Sequence, residues 1–132
     1  MAITVEDRFA VTELIAMHGH LCDSGELDRL GEVFTTDVTY DVPDFGQKIV
    51  GVTALAEAGR ALGERNPVGH HVTNVVLSEQ ADGHVHARSK GIGIYANGTS
   101  GSVTYEDTVV RVENGWRISH RTVLARRAPL GG

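Results

Sequence analysis

The chain has 132 residues, 41% hydrophobic and 22% charged, with a formal net charge of −5. That is one soluble globular domain, residues 1–132, whose acidic balance excludes nucleic acid and anionic membranes as main partners. The single cysteine, Cys22, leaves no intrachain disulfide, and no run of about 20 apolar residues offers a membrane span, so a cytoplasmic location is expected.

Ile3 to Cys22 reads as a helix, with Thr4 as its cap and Asp7 in the capping-box position. Val11, Leu14, Ile15, His18, Leu21 and Cys22 recur at helical spacing, so an apolar stripe carries a histidine at its centre. Such an imidazole must find a partner or line a cavity, because an unpaired buried polar group costs about 1–3 kcal/mol. Asp23-Ser24-Gly25 ends the pattern. A short second helix follows with Leu27, Leu30 and Phe34 inward, then a strand in which Val38, Tyr40 and Val42 alternate with polar neighbours. Gln47 to Val50 is its short partner, and Val52 to Leu62 a third helix.

From His70 onward the pattern is β. His70–Leu77, Val85–Tyr95, Val103–Glu113 and Trp116–Ala125 are separated by Asp82-Gly83, Asn97-Gly98 and Asn114-Gly115, which suit the positive φ of tight hairpin turns. Four antiparallel strands after helices argue for an α+β fold, a curved sheet with N-terminal helices on one face. In the second of these strands Ala87, Ser89, Gly91 and Gly93 share a face, which leaves space above it or permits a sharp bend.

Three segments carry a resemblance: Leu21 to Leu30 continued by Val33 to Tyr40, His70-His71-Val72-Thr73-Asn74-Val75-Val76, and Gly115 to Arg121. They resemble the NTF2-like superfamily in its SnoaL-like and scytalone-dehydratase-like branch, over nearly the whole chain. The resemblance implies a cone-shaped α+β barrel with a pocket between the helices and the concave sheet, and a homodimer through the open sheet face. In the scytalone-dehydratase-like enzymes an aspartate ending the first helix orients a histidine that acts as general base. Asp23 matches that aspartate, and His70, four residues before Asn74, matches the histidine better than His71. Cys22 and His18 stand where such enzymes carry tyrosines, and Tyr95 or its neighbours stand where scytalone dehydratase has a second histidine.

Two readings of Asp23 and His70 are open: a catalytic dyad, or a helix-terminal turn residue beside an ordinary strand residue. On an ideal helix Asp23 lies off the His18 stripe, on a flank with Thr12, Ala16 and Gly19. His71 alternates away from His70, so one of the two faces inward. His120, in phase with Trp116 and Ile118, is expected in the core or pocket wall. Tyr40, Tyr105 and Asp107 take inward-capable positions, and an acid on an apolar strand face implies a partner such as His18 or Arg121. No metal is expected: His18 and His20 diverge by about 200° on a helix, and His84-x-His86 lacks further ligands. Gly91-x-Gly93-x-x-Ala96 lies inside a strand with no helix after it, so it is no dinucleotide fingerprint.

The expected function is a cofactor-independent lyase or isomerase acting on an apolar, oxygenated ring or polyketide-type molecule. Asp23, His70 and His18 are its expected catalytic residues, and Tyr40, Asn74, Tyr95 and Tyr105 its substrate-binding residues. A polyketide cyclase using the same residues, and a non-catalytic binding or assembly domain, are the alternatives.

Overall fold

A computed structural model describes residues 2–131; Met1 and Gly132, the outermost positions of the expected domain, lie outside the described residues. Helix α1 spans Val5–Asp23. Thr4 and Asp7 form the expected capping box, each side chain accepting from the other's backbone N–H at 3.0 and 2.9 Å. Asp7 also accepts from Arg111 at 3.2 Å and from the Trp116 indole at 3.2 Å, so the cap fastens α1 to the sheet. The Thr4 backbone N–H, followed by Arg111, holds the Asp7 carboxyl far below the usual carboxylate range.

After a 3₁₀ turn at Leu27–Glu32, strand β1 (Phe34–Val42) pairs with β2 (Gln47–Val50), and α2 (Val52–Leu62) follows. Strands β3 (Gly69–Glu79), β4 (Val85–Ile94), β5 (Ser100–Val112) and β6 (Gly115–Arg126) form the meander. Its turns place Gly83, Gly98 and Gly115 at φ of 88°, 85° and 128°, which their Asp-Gly and Asn-Gly sequences favour. The six-stranded sheet runs β2-β1-β6-β5-β4-β3, curved and unclosed. It is antiparallel except where β1 runs parallel to β6. The four meander strands are antiparallel as expected, and β1 runs parallel to β6 because it joins the far side of the meander through a long crossover, not a hairpin.

The core lies between α1, α2 and the concave face. Val11, Ile15 and Leu21 of the expected stripe are buried against Phe34, Val38, Val85, Ala87, Val109 and Ile118, while Leu14 and Cys22 sit half-buried at its margins.

Two bulges decide which side chains reach that face. Between β5 and β6, Thr108 pairs with His120 but Val109 pairs with Ile118, so Ser119 is an extra residue. The alternation flips there: Trp116 and Ile118 point inward before the bulge, Arg121 and Val123 after it. His120, expected inward, is carried to the outer face beside Thr108. Between β3 and β4, Asn74 and Val75 together oppose Ser89, and Asn74 takes a left-handed φ of 57°.

The small-residue face of β4 has a specific occupant. A Cβ at Gly91 would meet Tyr105 Cε2 at 2.5 Å, so the Tyr105 ring lies flat across the strand where the glycine leaves room. Gly91→Ala is therefore expected to displace the ring and destabilise the fold by about 1–3 kcal/mol, as overpacking does. Urea unfolding should show this loss, and a Tyr105→Leu background should remove most of it.

Candidate active site

Helix α1 ends at Asp23, beside the first residues of edge strand β3. One Asp23 carboxylate oxygen contacts His70 Nδ1 at 2.6 Å, and the other accepts the His70 backbone N–H at 2.9 Å. Gly19, one turn earlier on the same flank, permits this approach: a Cβ there would lie 3.1 Å from both the Cβ and the carbonyl oxygen of His70. A carboxylate only accepts, so His70 Nδ1 carries the hydrogen, and in the neutral imidazole Nε2 holds the lone pair. The two side chains are 20% and 26% exposed, so the pair sits at the rim, within reach of a bound molecule. His71 points away and is exposed.

Deeper in, His18 is 6% exposed, with its ring centroid 6.3 Å from that of His70, 6.2 Å from Tyr40 and 5.1 Å from Phe34. Arg121 donates to its Nδ1 at 2.8 Å. The Arg121 guanidinium in turn makes a two-pronged contact with Asp107, Nε to Oδ1 at 2.7 Å and the second nitrogen to Oδ2 at 2.9 Å. Both side chains are fully buried, and the Tyr105 ring stacks on the guanidinium at 4.1 Å. Of the partners expected for Asp107, the structure selects Arg121, and that same arginine reaches His18. Burial opposes the guanidinium's charge, but the Asp107 carboxylate prevails and keeps it firmly protonated.

Burial, reinforced by the charge of Arg121, pushes the His18 imidazole well below the ordinary histidine value of 6.5. Burial likewise raises the phenols of Tyr40 and Tyr105, which stay protonated at neutral pH. Burial and Asp23 push the Cys22 thiol up to about 11, so it packs as a protonated thiol at neutral pH. Among the described residues, the sealed side-chain polar atoms with no partner are Thr35 Oγ1 and Ser89 Oγ. Among the described residues, neither His18 Nε2 nor the Tyr40 and Tyr105 hydroxyls has a hydrogen-bond partner, yet none of these three is sealed. All three therefore border accessible space.

The depressed His18 value has a consequence for stability. Below about pH 6.5 the unfolded chain takes up a proton at this histidine that the folded chain refuses, so stability falls with acidification. The loss approaches about 1.4 kcal/mol per pH unit and continues until the folded pKa is reached. Urea titrations from about pH 7 to pH 5 should show a slope shallower by that amount in His18→Gln; equal slopes would contradict it.

The other expected residues lie apart. Asn74 is exposed on its bulge and accepts from the Thr73 hydroxyl at 3.0 Å, with no contact to His70 or His18 among the described residues. Tyr95 follows β4 at 39% exposure, its ring 3.9 Å from where a Cβ at position 93 would stand, at the rim of the inner face. His86 pairs with Glu106 at 2.8 Å on the outer face, and His84 with Asp82 at 3.3 Å. No three His, Cys, Asp or Glu side chains converge as metal ligands among the described residues. A groove of about 510 Å³ at the N-terminal end of α1 is lined by Ala2, Thr4, Asp7, Gly83 and Arg111, where the two charged groups bind each other.

A curved sheet packed against an N-terminal helix, with a carboxylate–histidine pair joining that helix to the edge strand, is the architecture of an NTF2-like α+β domain. The SnoaL-like domain model matches residues 4–122, and the chain belongs to that family. An NTF2-like protein with a cystatin-like fold from Novosphingobium aromaticivorans is 28% identical, with 96% of this chain and 86% of that one covered and a TM-score of 0.79. A protein from the same organism that carries the name of scytalone dehydratase is 20% identical, covering 93% and 86%, at 0.77. Aln2 from a Streptomyces species is 21% identical, covering 95% and 94%, at 0.78. No curated protein matches the chain. No helix among the described residues is long and apolar enough to cross a membrane.

Proposed function

We propose that the protein is an acid–base lyase or isomerase of the dehydratase type, acting on an apolar, oxygenated ring or polyketide-type molecule. The observation that carries this reading is the 2.6 Å contact between Asp23 and His70 Nδ1, which leaves Nε2 of a rim histidine free as a base. Nε2 takes a proton from the carbon next to a carbonyl, and the C–H electron pair moves into an enolate. The hydrogen on Nδ1 stays on the ring, donated to the Asp23 carboxylate, which orients the ring and stabilises the imidazolium as it forms. Loss of a β-hydroxyl as water follows when His70 returns its proton to that oxygen. Double-bond migration follows when the proton returns to another carbon, and aldol-type ring closure starts from the same enolate. Tyr40 and Tyr105, both protonated, are the further donors available to substrate oxygens. A panel of β-hydroxy cyclic ketones, followed by the rise of enone absorbance, tests this reading. Turnover that depends on His70 supports it, and binding without any turnover favours a carrier role.

The same proposal includes a second copy of the chain against the outer sheet face. There Ile92 and Leu124, 40% and 39% exposed, lie on the face that also carries the His86–Glu106–Arg88 ion pairs. That mixture of apolar and paired polar groups suits a wet homodimer interface. The half-buried thiol of Cys22 is compatible with a reducing, cytoplasmic setting.

A further inference from the structure

His18 has two ring nitrogens, and the fold spends one of them. Arginine donates and never accepts, so the Nδ1 that receives Arg121 at 2.8 Å must hold its lone pair. The hydrogen of a neutral imidazole then sits on Nε2, the nitrogen that has no partner among the described residues. Arg121 cannot turn away to release this arrangement. Asp107 holds two of its nitrogens, Tyr105 covers its face at 4.1 Å, and Phe34 stands 5.7 Å from it.

The charged and titratable groups around His18 come from four elements: Arg121 from β6, Asp107 and Tyr105 from β5, Tyr40 from β1 and His70 from β3. Cys22 and Asp23 follow on its own helix. Asp107 is spent on Arg121 and Asp23 on His70, so neither carboxylate is free to stabilise an imidazolium at His18. A proton on Nδ1 would set two N–H groups against each other.

We propose that Arg121 and Asp107 are positioning residues that lock His18 as a neutral Nε2–H donor to the substrate's carbonyl oxygen, and that the site therefore selects uncharged ketones over carboxylic acids. This deepens the proposed function and rests on it. The two histidines hold opposite tautomers: His70 presents a lone pair and His18 presents a hydrogen. Their ring centroids lie 6.3 Å apart, so a carbonyl and its adjacent carbon laid across the two rings would meet one nitrogen each. In the step itself the C–H bond breaks, its proton goes to His70 Nε2, and its electron pair ends on the oxygen that His18 bonds. His18 transfers no proton, so His70 alone delivers the one it took. Selection against carboxylates follows from the charge pairing, because the buried Arg121 guanidinium is already neutralised by Asp107.

Long-range proton–nitrogen NMR of the ¹⁵N-labelled protein tests this, with His18 assigned through His18→Gln. The expected spectrum shows His18 as the Nε2–H tautomer throughout about pH 5 to 8, the window in which an ordinary histidine titrates. An Nδ1–H or imidazolium signature in the wild type within that window overturns the proposal. In Arg121→Met the lock is gone, and His18 should titrate or populate both tautomers; where that variant does not fold, the wild-type spectrum decides. Exchange of solvent deuterium into α-tetralone gives a second readout. His18→Leu should lose about 10²-fold, as oxyanion donors do when removed, while His18→Gln, which keeps an N–H donor but carries no proton, should stay within about tenfold of wild type. Equal losses in both would assign His18 a proton-carrying role and overturn the proposal. His70 is read in the same spectrum, so a wrong tautomer there would count against the base assignment separately.

Discussion

Replacing His70 with glutamine is expected to lower kcat by about 10²–10⁴-fold while leaving the fold intact. The magnitude is that of a positioned general base, and the fold survives because the side chain is only partly buried, at 20% exposure. The backbone N–H that Asp23 also grips is unaffected by the substitution. Asp23→Asn probes the other half of the pair. An asparagine offers an N–H where the carboxylate accepts, which favours the opposite tautomer of His70 and places a hydrogen on the nitrogen that must take a proton. Its loss should approach that of His70→Gln, with KM little changed. Circular dichroism and steady-state kinetics on both variants separate this from unfolding. A His70→Gln protein with wild-type kcat would remove the base.

The second large effect concerns stability. Asp107→Ala is expected to destabilise the domain by about 3–5 kcal/mol, because it leaves the Arg121 guanidinium buried and unpaired. The desolvation cost of that charge is constant, and the carboxylate is what offsets it. The paired replacement Arg121→Met with Asp107→Leu should recover most of the loss, since apolar groups of similar volume leave no charge to solvate. Urea unfolding of the single and double variants measures both. If the single variant loses under about 1 kcal/mol, the pair contributes no more than an exposed one would. The double variant separates two roles, because it restores stability without restoring the lock on His18.

The elements of this fold are legible in the sequence where local chemistry dictates them. The Thr4–Asp7 cap, the three Gly-containing hairpin turns and the alternation of β4 and β5 are each set within a few residues. The stripe on α1 likewise foretells which of its residues meet the sheet. The phase of β6 is not readable in this way. Ser119 looks like any strand residue, and only its pairing with β5 makes it a bulge, so His120 and Arg121 exchange faces without a local signal. Asn74 is similar, since its left-handed backbone is imposed by two residues of β3 facing one of β4. The need for a cation near Asp107 was apparent from an acid placed on an apolar face, but the choice between His18 and Arg121 required the bulge. The flank of Thr12, Ala16 and Gly19 hinted at close approach, and Gly19 is where β3 makes it.

The Asp23–His70 base is the centre of the account, and isotope exchange tests it most directly. The wild type and His70→Gln would be incubated side by side in deuterated water with α-tetralone and β-hydroxycyclohexanone, with incorporation next to the carbonyl followed by NMR. Deuterium is expected at that carbon with the wild type, with a loss of about 10²–10⁴-fold in the variant. Exchange that persists without His70, or ketones that bind to the wild type and exchange nothing, would contradict it.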